Sequence, residues 1–355
     1  MIREQIEARE AEYLSPFAVL SSASRGRERP EEPDSVRTLF QRDRDRIIHL
    51  CVAFRRLSQK TQVFIASTQD HFRTRLSHTL EVAQIARTGA KALRLNEDLV
   101  EAIALGHDVG HTPFGHAGED ALDVVYSRYD PGARFAHHIH SLRVLEHLER
   151  DGAGLNLSWE VRQGILEHSK SMADLALDLE TTQTSSLEAM LVRISDRIAY
   201  VNHDLDDALR AGLIAPDQLP RPVVAVLGER HGERVGRMVQ DLIAHSVDRP
   251  RLGMSPALLE ATDALKNFLM ERVYQSEWMR LEARKAQRIV ETLFEIYMES
   301  AEAFTRDVAQ GQPADTYSTE DRARLVCDYV AGMTDRFARE KYLGFVLPSG
   351  VPSFE

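Results

Sequence analysis

Apolar residues return at helical spacing along nearly the whole chain, and this limits the fold more than any other feature. From Ser77, apolar or small residues recur at Val82, Ile85, Gly89 and Leu93, the period of about 3.6 that winds one face of a helix. Asn96 is placed to cap the next helix, with Glu97 and Asp98 in its first turn and Leu99 and Ile103 beneath. Val235, Val239, Leu242 and Ser246 repeat the pattern. Ser255 as cap, Pro256 at the first helical position, then Leu258, Leu265, Phe268 and Leu269 repeat it again. A last helix starts near Ser318 and runs through Leu325, Val326, Tyr329 and Met333. Strand-like alternation is scarce: Arg221–Leu227 reads either as one short strand or as the opening of a helix. The expected class is all-α.

A length of 355 residues allows two domains or one large one. Turn-rich stretches fall at residues 22–33, 110–118, 130–135, 311–319 and 348–355, and the first and last read as mobile. Motifs end near residue 215. This gives an N-terminal arm and first helix (1–59), a motif-rich core (60–215) and a helical C-terminal region (216–355) suited to subunit contacts. Lys plus Arg number 44 against 55 Asp plus Glu, a net charge of −11, which argues against nucleic-acid binding through bulk charge. A polyanionic ligand then needs a local basic pocket. Cys51 and Cys327 stand far apart and form no zinc-ligand spacing, so a metal would be held by histidines and carboxylates. No apolar run approaches a membrane helix and the charged start MIREQIEARE is unlike a signal peptide, so a cytoplasmic protein without membrane partners is expected.

Fourteen histidines are many for this length, and His111, His116, His137, His138, His140 and His147 crowd one stretch. His107 and Asp108 end the helix begun at Asn96. Leu99, Ile103 and His107 step by four, as do Val100, Ala104 and Asp108, so both polar groups point inward. Burying an imidazole and a carboxylate together is costly unless something pairs with them, and a divalent cation does so directly. His78 continues an apolar row with Val82 and Ile85 and is turned inward too. In the following GHTPFGHAGE, Gly106, Gly110, Gly115 and Gly118 are expected to let backbone approach a ligand and to bring His111, His116 and Glu119 close. Asp196, Tyr200 and Asp204 form a polar stripe at i, i+4 and i+8 beside an apolar row; it either lines a site or faces water. Asp206 and Asp207 read as solvated, RDRDR (42–46) as surface ion pairs or ligand contacts, and His140, His147 and His168 as structural.

His78, then His107-Asp108, then Asp196 is similar to the H…HD…D signature of HD-domain phosphohydrolases. More narrowly, FQRDRDRIIHLCVAFRRLSQKTQVF (40–64), TRLSHTLEV (74–82), GHDVGHTPFGHAGE (106–119) and SDRIAYVNHDLDDA (195–208) resemble the deoxynucleoside triphosphate triphosphohydrolases, the dGTPase-like branch. The resemblance implies an HD-domain helical core with additional C-terminal helices. It makes His78, His107, Asp108 and Asp196 ligands of a divalent metal, Mn²⁺ or Mg²⁺, although such a donor set accepts other first-row ions. It makes His116 the catalytic histidine, Glu119 its partner, and His111 and His137 contacts to the phosphates or supports. It places Tyr200 and Asp204 at the sugar, and Arg42, Arg46, Arg55, Arg56 and Lys60 at the triphosphate. Where relatives read Phe-x-His-Asn-x-Gln-Ser, this chain reads Phe135-Ala136-His137-His138-Ile139-His140-Ser141, so His138 and His140 are candidates to rebuild a polar lining.

The implied reaction is metal-dependent hydrolysis of a dNTP to deoxynucleoside and tripolyphosphate. Two alternatives stand beside it: an HD phosphohydrolase acting on another nucleotide phosphoester, and a dNTP-sensing or nucleic-acid-binding regulator with incidental hydrolysis. The resemblance also implies a homo-oligomer and leaves open a dNTP effector.

Overall fold

The computed structural model describes residues 1–65, 72–169 and 174–348; most of the tail read as mobile (349–355) lies outside them. Among the described residues the protein is helical, with only two isolated bridges, Arg27–Ser158 and Thr61–Thr74. In chain order the principal helices are α1 (Ile2–Tyr13), α2 (Leu39–Leu50), α3 (Arg75–Leu93), α4 (Glu97–Gly106), α5 (Gly115–Tyr129), α6 (His137–Arg143) and α7 (Trp159–Glu167). They continue with α8 (Leu187–Arg210), α9 (Arg221–Leu227), α10 (His231–Ser246), α11 (Pro256–Leu269), α12 (Glu277–Glu299), α13 (Thr319–Ala331) and α14 (Asp335–Val346).

Local sequence explains where these helices start. Leu99 N donates to Asn96 Oδ1 at 3.2 Å, and Ser255 and Ser318 accept in the same way from Leu258 N and Asp321 N, satisfying donors that the first helical turn leaves unpaired. The 221–227 stretch is a helix. Pro222 stands in its first turn, and Val223 and Leu227, four apart, bury one stripe against the core near α11; Gly228 at φ +100° stops it.

Helix α8 is the axis of the fold. Leu191, Ile194, Ile198, Val201 and Leu205 are all buried, and α8 packs against α3, α4, α7, α10 and α11. A helix buried on nearly every side has no solvated face for acidic residues, so Asp207 is also buried and pairs with Arg73 at 2.6 Å. The solvated reading of Asp207 is corrected; Asp206 meets Arg73 and Arg210 nearer the surface.

Apolar packing does not break at residue 215. One hydrophobic cluster runs from Phe40 to Val273, and a second joins Phe114, Leu122, Val125, Tyr126 and Phe135 to Phe294, Tyr297, Val326 and Val330. Helix α5 is thus held by α12 and α13 rather than by the helices that flank it in sequence. Residues 22–33 are tied down rather than loose. Arg27, buried, pairs with buried Asp43 and with Asn156 O, while Ser24 Oγ and Arg25 N both donate to Glu160. Such a contact, between residues far apart in sequence, leaves no local pattern.

Candidate functional site

Helices α3, α4 and α8 bring His78, His107 and Asp108 to one point, with Asp196 beside His78. His78 Nε2 lies 3.2 Å from Asp196 Oδ1 and 3.8 Å from Asp108 Oδ2, and His107 Nε2 lies 3.5 Å from Asp108 Oδ1. Ligand atoms from His78, His107 and Asp108 fall within 4.8 Å of one another. The imidazoles are oriented from behind. His107 Nδ1 donates to Ala104 O at 2.6 Å, which makes Nε2 the bare nitrogen, and that Nε2 is buried without a hydrogen-bond partner. His78 Nδ1 meets His203 Nε2 at 2.8 Å, leaving its Nε2 toward the carboxylates. An outward N–H held by a carbonyl or a second ring is how ligating histidines are fixed, so these residues fit a divalent cation.

Electrostatics give the same picture. Burial pushes the Asp108 carboxyl up, but charge at His107, His111 and Arg75 outweighs it and holds the group well below its usual range. Burial lowers His78 against the opposing pull of Asp196, which keeps the ring neutral and able to ligate.

Beside this cluster stands a second one. Glu119 accepts from His116 Nδ1 at 2.9 Å and from His137 Nδ1 and His137 N, both at 2.8 Å. Burial raises the Glu119 carboxyl, yet these two histidines hold it well below the ordinary range. His116 is 72% exposed at the mouth of the site, whereas His111 is buried, stacked on His137 with ring centroids 4.0 Å apart, its Nε2 3.3 Å from Asp108 Oδ1. The turn before α5 is anchored by a distant carboxylate: Phe114, at φ +63°, donates its N–H to Asp335 Oδ1 at 2.9 Å, and Asp335 Oδ2 also takes Thr61 N.

Gly110 and Gly118 serve chain-on-chain contact rather than ligand approach. A Cβ on Gly110 would stand 2.1 Å from Ser141 N, and one on Gly118 would stand 2.0 Å from Pro113 O. Their expected role is corrected accordingly: they let α6 and the 112–113 turn close against the residues that carry the histidines.

His78, Asp108, Asp196, His111, His116 and His137 line a cavity of about 630 Å³, while His107 and Glu119 touch these residues without lining it. Tyr200 and Asp204 line its far side, so the stripe on α8 faces the cavity and not water. Arg42, Arg46, Arg55, Arg56 and Lys60 do not line it. Arg42 and Arg46 pair with Glu31, Arg46 also takes Leu155 O and Asn156 O, Arg55 reaches His49 O, and Arg56 reaches Gly332 O. Lys60 is buried with its Nζ on His111 O and Ala331 O. Their placement at the triphosphate is corrected: each head is engaged in holding the chain together. The positively charged side chains that line the cavity are Arg75, Lys266, whose Nζ pairs with Asp174 Oδ1 at 2.7 Å, and Arg280. Arg75 Nη1 holds Asp108 Oδ2 at 2.6 Å, while its Nε and Nη2 are buried without partners.

His138 and His140 do not line the cavity either. His140 is buried against Phe135, with ring centroids 5.0 Å apart. His168 does line it: its Nδ1 donates to Ile165 O at 2.6 Å, leaving a buried Nε2 without a partner, 4.0 Å from Asp108 Oδ1. Tyr274 lines it too, donating its hydroxyl to Asp204 Oδ2 at 2.5 Å. Arg75 carried a legible signal, lying three positions before His78 on the same face. Lys266, Arg280 and Tyr274 carried none, being ordinary members of amphipathic helices or their ends.

Residues 75–201 match the HD domain model and residues 252–343 the phosphohydrolase-associated domain model. The chain is 50% identical over 354 residues to a deoxyguanosinetriphosphate triphosphohydrolase-like protein of Caldanaerobacter subterraneus subsp. tengcongensis, with 100% of this chain and 98% of the other aligned. Proteins of the same description from Desulfatibacillum aliphaticivorans and Clostridium perfringens are 46% and 42% identical, covering 98% and 99% of this chain and 99% of each of theirs. No helix among the described residues is long and apolar enough to cross a membrane.

Proposed function

Since the chain belongs to the deoxyguanosinetriphosphate triphosphohydrolase-like family of HD-domain hydrolases, we propose that it hydrolyses deoxynucleoside triphosphates to deoxynucleoside and tripolyphosphate with a divalent cation held by His78, His107, Asp108 and Asp196. Phosphohydrolase activity on nucleotides is the broader property; dNTP as substrate and tripolyphosphate as product are the proposal. The observation that carries it is the adjacency of two groups at one end of the cavity: the inward ring nitrogens of His78 and His107 beside two carboxylates, and the His116–Glu119 pair next to them.

When bound, a cation there supplies charge relief at the α-phosphorus and acidifies a water; Mn²⁺ or Mg²⁺ is our assignment, and other first-row ions suit the same donors. The residues divide the remaining work. Arg75 offers its unpartnered guanidinium nitrogens to phosphate oxygens, with Lys266 and Arg280 adding charge along the cavity wall. The sugar 5′-oxygen is a poor leaving group as an alkoxide. His116 donates its proton to that oxygen, and Glu119, held ionised, orients the ring and stabilises its charged form. Such proton donation contributes roughly 10²–10⁴-fold. Tyr200, and Asp204 oriented by Tyr274, face the sugar end. A homo-oligomer and a dNTP effector rest on the resemblance and belong to the same proposal.

The test is product analysis by anion exchange, with each dNTP and NTP and with added Mn²⁺ or Mg²⁺. Tripolyphosphate from deoxynucleotides, abolished by chelator, is the expected result. Pyrophosphate with monophosphate, or a preference for ribonucleotides, would overturn it in favour of another nucleotide phosphoester.

A further inference from the structure

We propose that His111, His116, Glu119 and His137 form a second cation site, distinct from the one at His78, His107, Asp108 and Asp196, which takes a zinc-class divalent ion and, when filled, withdraws His116 from proton donation. The last clause rests on the assignment of His116 as proton donor; the site itself does not.

One ligand atom from each of the four residues lies within 4.8 Å of the others. Three imidazoles and one carboxylate are a zinc donor set, in which bonds of about 2.0–2.2 Å place tetrahedral ligands roughly 3.4 Å apart. Closing the ring of donors therefore asks for about 1 Å of side-chain movement, shared between His116, which is 72% exposed, and His137, which turns out of its stack on His111. A second observation points the same way. His111 is 1% exposed, its Nε2 faces Asp108, and its Nδ1 is left buried without a hydrogen-bond partner. A buried ring nitrogen with no partner in a nest of other donors is what a ligand set lacking its ion presents.

Charge and access also fit. Glu119 is a partly buried carboxylate held between two histidines, and Asp120 lines the cavity beside it. The positive charge that bears on His111, Arg75, pairs through Nη1 with Asp108 at 2.6 Å. His116 at the mouth gives an entry path from solvent. The two sites differ in character: two carboxylates and two imidazoles suit Mg²⁺ or Mn²⁺, while three imidazoles with one carboxylate favour zinc. Ligation at the ring nitrogens that face Glu119 replaces their hydrogen bonds to it and moves each neutral ring's proton to its other nitrogen.

The experiment is a zinc titration of chelator-stripped protein by calorimetry, with Co²⁺ absorption as a check on tetrahedral coordination. Wild type is expected to bind two equivalents of zinc, H116A and H137A one each, and D196N to keep the tetrahedral Co²⁺ signal. One equivalent in wild type, or two retained in both H116A and H137A, would overturn the proposal. H116A removes a surface side chain and leaves the packed core untouched. In Mn²⁺-loaded wild type, one equivalent of zinc is expected to lower turnover by about 10²-fold, at the low end of what a general acid supplies. If tripolyphosphate release fails while H116A still drops zinc from two equivalents to one, the site stands and only its link to catalysis falls.

Discussion

Replacing His140 with glutamine, an uncharged polar residue, should flatten the acid limb of the stability curve. Burial against Phe135, then the charges of Lys60, Arg143 and Arg324, push the His140 ring from 6.5 down to about 3. In the unfolded chain the ring takes a proton near pH 6.5. Between about pH 6.5 and 3 the unfolded state therefore binds one proton more than the folded state, and stability falls as pH falls. The full contribution is present above pH 6.5. Each pH unit of the window is worth about 1.36 kcal/mol, and a window of roughly 3.5 units gives close to 5 kcal/mol. The assay is urea unfolding of wild type and H140Q, with chelator present, at intervals from pH 7 to 4. His78, His111 and His168, also lowered by burial, titrate in both proteins, so the difference between the two curves isolates residue 140. The two should converge toward acid by about 3 kcal/mol over 2.5 pH units relative to their separation at pH 7. Parallel curves would refute the reasoning.

Three further outcomes follow from the geometry. G110A should destabilise the protein by about 3 kcal/mol, the upper range for overpacking, because its Cβ would strike backbone at Ser141 and His137 rather than a movable side chain; a urea midpoint equal to wild type would contradict this. D335A frees Phe114 N and Thr61 N, so kcat should fall by about tenfold as the turn carrying His116 loosens, with KM nearly unchanged, an effect of the size of one charged hydrogen bond; equal steady-state constants would count against it. Y274F removes the hydroxyl that orients Asp204, and KM for the deoxynucleotide should rise about tenfold with kcat within about threefold; an unchanged KM would disconnect Asp204 from the sugar.

What the sequence made legible was local. Steps of four on α4 and an apolar row on α3 turned His107, Asp108 and His78 inward, and the same periodicity placed Asp196, Tyr200 and Asp204 on one face of α8. Helical spacing carries that information because neighbours on a face are close in sequence. Contacts across the fold left no such trace. Lys266 and Arg280 sit where any amphipathic helix places its charges, and only the packing of α11 and α12 against the rest turns them to the cavity. Arg42 and Arg46 look free in RDRDR, yet Glu31 and the carbonyls at 155 and 156 take them. His168 read as structural because its meaning depends on α7 ending beside Asp108.

The central claim is that one cation joins three helices at the floor of the cavity. Anomalous diffraction from a crystal soaked in Mn²⁺, collected above the manganese edge, tests it directly. A peak is expected about 2.0–2.3 Å from His78 Nε2, His107 Nε2 and the carboxylates of Asp108 and Asp196. Manganese bound elsewhere, with these four side chains unligated, would contradict it.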